Sequence, residues 1–238
     1  MNNLIDLFSN IETIISLRFF TIVGVSIIVG TLAGNSAVFI FNKMPVSWLC
    51  DYGEEPSEEL KRNDRQRLNS YPWKLVLSLM FILCIITMAV HDWQFAIAGT
   101  ISIWALIIIA ISDKKYMIIP DQFVILLALS AFGYVQYHNS FLSPMWGALI
   151  GGGVMLFIGI VGKLIFKKEA LGFGDVKLLA AVGLITGPIG VAIILVACSF
   201  LSCLDFVILM ARKKIKRTDM MPFGPYVALS TIFYLVFL

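Results

Sequence analysis

Long apolar runs recur along the whole chain, and they constrain its fold more than any other feature. About eight hydrophobic segments cover residues 17–41, 74–91, 95–112, 121–137, 144–166, 175–186, 189–210 and 222–238. Most have the length of about 17 to 25 residues that a bilayer-spanning helix needs. Only 14% of the residues are charged, against about a quarter in soluble domains. Hydrocarbon offers no partner to an open strand, so the sequence predicts an all-α polytopic membrane protein with about eight transmembrane helices.

Basic residues are distributed unevenly between the two faces that alternating segments create. The loops 42–73, 113–120, 167–174 and 211–221, with the flanking helix ends, share one face and hold 17 of the 18 Lys and Arg residues. Cytoplasmic loops carry such an excess. We therefore expect these loops in the cytoplasm and both termini outside. The net charge of +3 follows this membrane rule and does not indicate a nucleic-acid partner.

The sixth segment is too short to cross a bilayer. From Asp175 to the break at Gly187-Pro188 there are 12 or so residues, or about 18 Å of helix, against a hydrocarbon core of about 30 Å. If this helix reaches the outer face, its inner end lies below the cytoplasmic surface. A helix end at that depth must line a water-filled cavity or be buried in protein.

An acidic residue lies at that inner end, inside a glycine-containing stretch. The stretch reads Gly172-Phe173-Gly174-Asp175-Val176-Lys177. The two glycines leave the backbone open to close approach, and a carboxylate at a membrane border must be solvated or functional. Asp is also a good N-cap, so a solvated capping residue before a helix is the alternative interpretation.

A second acidic site follows the third segment. Asp113 ends that segment, and Asp121 follows Pro120 at the start of the next, where it can cap the helix. Alternation places Asp113 and Asp175 at the same membrane border. Two adjacent carboxyls suit water activation, because one can take a proton while the other donates one. Asp205, inside the seventh segment, is expected to reach the cytoplasmic interface or pair with a Lys.

Four sequence blocks together resemble the type IV prepilin peptidase family, the GxGD-type intramembrane aspartyl proteases. Residues 172–180 are similar to the family's GxGDxKLLA block, and residues 113–121 to its D-x(6)-P-D block. The third block precedes the last segment and is similar to the family's PFGP sequence: Pro222, Phe223, Gly224, Pro225. Residues 34–45 resemble its N-terminal block, with Val38 where the family usually has Asn.

The resemblance implies a prepilin leader peptidase of the prokaryotic inner membrane, with its active site on the cytoplasmic side. Its partners would be the lipid bilayer and type IV prepilin or pseudopilin precursors, whose basic leader ends at a Gly before an apolar helix. The family's catalytic pair corresponds to Asp113 and Asp175. We assign accessory or substrate-binding roles to the remaining motif residues: Gly172, Phe173, Gly174, Lys177, Asp121, Pro222, Phe223, Gly224, Pro225.

The resemblance also divides the chain and raises the matter of cofactors. It implies an outer N-terminus and first helix (1–41), a cytoplasmic loop or small insertion (42–73) and a seven-helix protease domain (74–238). Many relatives carry a zinc-binding insertion with two CxxC pairs and also N-methylate the product from S-adenosylmethionine. The loop here has only Cys50, so we expect no zinc site. Proteolysis needs no cofactor, and we expect no methylation by this chain.

Three interpretations of other features stay open beside the protease. The acidic residues of 51–59 attract a basic leader or form a solvated charge run. A transporter or ion-pathway protein would also carry intramembrane acids, although no relay of charges crosses the predicted spans. An inactive assembly factor of the same family is the third alternative, and retention of Asp113 and Asp175 argues against it.

Overall fold

The computed structural model is helical throughout the part of the chain that it describes. It describes residues 2–50, 67–166, 172–216 and 220–237, with side chains from Leu17 onward except that of residue 166. The all-α prediction is confirmed within these ranges. The helices are α1 Asn2–Lys43, α2 Ser70–His91, α3 Trp93–Tyr116, α4 Asp121–Ser130, α5 Ser143–Phe166, α6 Phe173–Ala211 and α7 Gly224–Phe237. Short 3₁₀ helices cover Val46–Leu49 and Ala131–Tyr137.

Five of these helices are long and apolar enough to cross a membrane. They are Leu17–Lys43 of α1, then α2, α3, α5 and α6, and the shorter α7 is apolar as well. The protein is therefore a multi-pass membrane protein, whereas the count of eight spans remains a prediction. Two segment limits differ from those predicted. Helix α1 begins at Asn2, well before the apolar run, and α4 passes into a 3₁₀ helix after ten residues.

The chain divides into two compact units. The first comprises residues 1–42 and 66–100. Within it α1 and α2 approach closely where Gly30 faces Ile82 and Gly34 faces Ser78. The approach is so close that a Cβ on either glycine would overlap the α2 backbone. Small residues four apart are a common means of packing membrane helices, where no hydrophobic effect drives association.

Asn42 closes the polar loop that follows α1. Its side-chain amide donates to the carbonyl of Leu68 (2.9 Å) and accepts from the Leu68 N–H (2.7 Å). The two ends of the loop are thus fixed side by side. The acidic run of residues 51–59, interpreted either as attracting a basic leader or as a solvated charge run, lies outside the described residues.

The second unit comprises residues 43–65 and 101–238 and contains the sharp break predicted at Gly187-Pro188. Gly187 has φ 70° and ψ −176°, a conformation that is essentially restricted to glycine. Leu179 and Val191, on opposite sides of the break, both lie against Gly151. A straight helix would hold them about 18 Å apart, so the two halves of α6 fold back on one another.

Helices α5 and α6 pack almost backbone to backbone. A Cβ on Gly183 of α6 would overlap the main chain of Gly147 on α5, and the reverse also holds. Such contact maximises dispersion between helices in lipid.

A buried polar network fixes α3 against the segment that follows it. The hydroxyl of Ser102 lies 2.8 Å from the Ser130 hydroxyl and 3.0 Å from the Tyr134 phenol oxygen. Ser130 also donates to the Leu127 carbonyl at 2.6 Å. These bonds set the relative position of the two elements that carry Asp113 and Asp121.

We predict that Gly183→Ala destabilises the protein by about 1–3 kcal/mol, the usual cost of overpacking. The added methyl must displace the α5 backbone, which cannot move as a flexible side chain would. The matched control is Gly153→Ala on α5, where a Cβ would meet no atom within 4 Å. Unfolding in detergent measures the difference, and equal stability of the two variants would contradict the packing described.

Candidate active site

Several helix ends of the second unit converge on one small region. Asp113 lies one turn before the end of α3, Asp175 lies in the first turn of α6, and Gly224 begins α7. Because α6 folds back at Gly187, its far end returns to the same region. Asp205, near that far end, accepts a hydrogen bond from Tyr226 in the first turn of α7.

Asp113 is a buried carboxylate, with 5% of its surface exposed. Its Oδ2 accepts a hydrogen bond of 2.6 Å from the Gly224 N–H. The first N–H groups of a helix have no partner within the helix, and the helix dipole makes this end favourable for negative charge. The start of α7 therefore compensates Asp113 for its loss of water.

Gly224 has no room for a side chain. An added Cβ would lie 2.8 Å from Asp113 Oδ2 and 3.1 Å from Asp113 Cβ, so any other residue would push the carboxylate away from the amide. This explains the glycine of the PFGP block in physical terms. Pro225 follows at the second helical position, where its missing N–H costs no helical bond.

Phe223 and Pro222 precede α7 and are half-buried. The Phe223 carbonyl accepts from the N–H of Tyr226 (3.1 Å) and of Val227 (3.3 Å). These bonds give Phe223 a role in starting the helix.

Asp175 does not cap its helix, so the capping interpretation is wrong. Gly172 occupies the N-cap position with extended backbone angles, and the Asp175 N–H donates to its carbonyl at 3.1 Å. The half-buried Asp175 side chain turns back toward Gly172, where an added Cβ would lie 3.5 Å from Oδ2. Asp175 lies two positions inside the helix, and its carboxylate makes no capping hydrogen bond.

Asp113 and Asp175 lie in neighbouring elements, because the start of α6 packs through Gly174 against Ile119 in the turn after α3, and the negative charge of Asp113 acts on Asp175. They belong to helices that are far apart in the sequence. Two carboxyls held close together are most favourably occupied by one proton.

Gly174 packs against the turn between α3 and α4. A Cβ there would lie 3.1 Å from the Ile119 Cβ, so the glycine allows α6 to approach this turn. The turn itself begins at Met117, which has a positive φ of 55° and donates its N–H to the Asp113 carbonyl at 2.8 Å. The reversal of the chain therefore starts one helical turn after Asp113.

Lys177 joins α6 to the start of α4. Its ammonium group lies 2.9 and 2.8 Å from the two carboxylate oxygens of Asp121, and 5.3 Å from the centre of the Phe173 ring. Pro120, not Asp121, holds the N-cap position of α4. The structure thus makes Asp121, Lys177 and Phe173 one group beside the carboxyl pair, and Phe173 is largely exposed.

Asp205 has a partner that the sequence interpretation did not consider. Its Oδ2 accepts a hydrogen bond of 2.5 Å from the phenol of Tyr226. We had expected the interface or a Lys for this carboxylate. Tyr226 directly follows the PFGP block. Its place beside that block was the sequence feature that could have indicated a role at the site.

Metal ligands are sparse in the described ranges. No group of three or more His, Cys, Asp or Glu side chains lies together there in a way that could hold a metal ion. Cys84 lies on α2, and Cys198 and Cys203 lie on α6, so these thiols belong to membrane helices and not to the polar loop. The donor set does not fit a four-thiolate zinc site.

We predict an energetic coupling of about 0.5–1 kcal/mol between Asp121 and Lys177, as for partly exposed ion pairs. It is measured by a double-mutant cycle of Asp121→Asn and Lys177→Met in unfolding experiments. Lys114→Met, at an exposed lysine of α3, replaces Lys177→Met in the control cycle. Additive effects in the first cycle would show that the ion pair contributes nothing.

Comparison with known proteins places this geometry in context. The family model described as the type IV leader peptidase family matches residues 100–208. The match includes Asp113 and Asp175, and residues 222–225 lie beyond it. A search of solved structures found no match.

Curated relatives carry related names. The chain is 34% identical to leader peptidase HopD of Escherichia coli over 119 residues, which are 49% of this chain and 77% of that protein. It is 26% identical to a prepilin leader peptidase/N-methyltransferase of Aeromonas salmonicida over 166 residues, 67% of this chain and 55% of that protein. The Salmonella typhimurium HopD is 32% identical over 130 residues, 52% of this chain and 82% of that protein. The match thus spans most of each HopD protein and about half of the longer enzyme.

Proposed function

Because this chain belongs to the type IV leader peptidase family, we propose that it cleaves the leader from type IV prepilin-like precursors. The observation that carries the proposal is the packing of Gly174 against Ile119, which brings the start of α6, with Asp175, against the turn that follows Asp113. The two carboxyls belong to a multi-pass membrane protein. We assign this protein to the inner membrane of a prokaryote, with the site facing the cytoplasm.

The proposed reaction is hydrolysis by a water molecule held between the two carboxyls. The ionised carboxyl takes a proton from water while the water oxygen attacks the scissile carbonyl carbon. The protonated carboxyl donates its proton to the carbonyl oxygen. Collapse of the tetrahedral intermediate breaks the C–N bond, and a proton passes to the departing amine. The leader leaves with a new carboxyl group, and the mature protein with a new amino group.

The surroundings of the pair suit an extended peptide. Gly172 is exposed and presents backbone without a side chain at the start of α6. A helical substrate must unwind locally before its peptide bond is attacked, and exposed backbone can then hydrogen-bond to it. Asp121, Lys177 and Phe173 border the pair and are the proposed accessory group.

We predict that Asp113→Asn or Asp175→Asn lowers cleavage about 100-fold or more, because an amide can neither take nor give the required proton. Purified protein is incubated with a prepilin that has a basic leader and an apolar helix, and the products are weighed. Unfolding measurements confirm that each variant is folded.

Asp92→Asn is the matched control for these substitutions. Asp92 precedes α3 and accepts the Gln94 N–H at 2.7 Å, a bond that an Asn side chain can also accept. Near-normal cleavage by Asp175→Asn would remove the catalytic assignment. Loss of cleavage in Asp92→Asn would show that the assay reports general damage.

We propose further that this chain alone does not methylate its product. The cysteines do not fit the zinc-binding insertion of the methylating relatives. In a methylating enzyme, S-adenosylmethionine would supply the methyl group that the new amine receives.

The expected product therefore has the unmodified mass after incubation with S-adenosylmethionine. Mass spectrometry of the mature N-terminus decides this, and a prepilin peptidase known to methylate is the positive control. A gain of one methyl group with the purified chain would overturn the proposal.

A further inference from the structure

We propose that Tyr226 and Asp205 form a positioning pair that holds the first turn of α7, so that the Gly224 amide stays directed at Asp113. The inference rests on the proposed peptidase activity and deepens it. Neither residue is placed in contact with substrate. Both act through the backbone of α7.

The first turn of α7 is held at two points by different helices. The Gly224 N–H, at the open end of the helix, donates to Asp113 of α3 at 2.6 Å, and the Tyr226 phenol donates to Asp205 of α6 at 2.5 Å. Helical N–H groups point along the axis toward the N-terminus, whereas side chains leave the helix laterally. The first bond limits movement along the axis, and the second limits rotation and sideways displacement.

Both bonds lie within the first three residues of α7. They therefore act on the position of the Gly224 amide itself and not on a more distant part of the helix.

The hydrogen-bond chemistry separates this role from one that depends on charge. Tyr226 donates and Asp205 accepts, so an Asn at position 205 keeps an acceptor oxygen and loses the negative charge. If Asp205 served instead to attract the basic leader of a substrate, loss of the charge alone would weaken binding. The two roles thus predict opposite results for Asp205→Asn.

The test measures kcat and KM of prepilin cleavage for Tyr226→Phe, Asp205→Ala and Asp205→Asn. We expect kcat to fall about 5- to 10-fold in the first two variants, the effect of one lost hydrogen bond, with KM within about twofold of the wild type. Asp205→Asn should stay within about twofold in both constants. The double variant Tyr226→Phe with Asp205→Ala should match either single variant, since both remove the same bond.

Tyr234→Phe is the matched control, because it removes the phenol oxygen from another tyrosine of α7. It should leave kcat and KM unchanged. A similar fall of kcat in this control would overturn the assignment, because any phenol loss on α7 would then have the same effect.

Hydrogen exchange supplies a readout that needs no activity. Pro222 and Pro225 carry no amide hydrogen, so a peptide covering 222–226 reports mainly on Phe223, Gly224 and Tyr226. Exchange in this peptide should be faster in Tyr226→Phe and Asp205→Ala and unchanged in Asp205→Asn. If the wild type cleaves no prepilin, the proposed function fails while exchange still tests the positioning pair.

Three results would overturn the inference. The first is a Tyr226→Phe variant whose kcat and hydrogen exchange both equal those of the wild type. The second is an Asp205→Asn variant as impaired as Asp205→Ala, which would assign the role to charge. The third is a change confined to KM, which would assign the residues to substrate binding.

Discussion

The hydrogen bond between the Gly224 amide and the Asp113 carboxylate is the contact on which the rest of the candidate site depends. A buried carboxylate without a partner is costly in a membrane protein, and the first amides of a helix have no partner of their own. The amide gives the carboxylate a hydrogen-bond donor, and the carboxylate gives the amide an acceptor. The bond also requires glycine at position 224, and it ties the last helix to α3. The contacts that α4, α6 and α7 make around the site hold these two groups and Asp175 in place.

The sequence predicted the features that depend on composition along the chain. Apolar runs indicated the all-α membrane fold, whereas the common border that their alternation predicts for Asp113 and Asp175 stays a prediction. Partners set by three-dimensional packing could not be obtained in this way. Tyr226 lies 21 positions from Asp205, and neither periodicity nor charge pattern indicates that bond. Asp175 resembled an N-cap because capping is judged from neighbours in sequence, whereas Gly172 takes the extended conformation that the position requires.

Helix limits and helix contacts were predicted less well, for a related reason. Hydropathy detects the part of a helix that lipid surrounds, so it missed the part of α1 before Leu17. A hydropathy average also counts glycine as part of an apolar run and does not register its missing side chain. The close approaches of Gly34 to Ser78 and of Gly147 to Gly183 depend on the absence of a side chain on one helix face. A pattern of small residues four apart was the signal that could have revealed them.

The break at Gly187 determines which parts of α6 can contribute to one site. A continuous helix of 39 residues would be about 58 Å long, nearly twice the thickness of the hydrocarbon core. Its ends, with Asp175 and Asp205, would then emerge on opposite sides of the membrane. A single backbone conformation open to glycine folds the helix back instead, so that Asp175 near one end and Asp205 near the other lie on the same side.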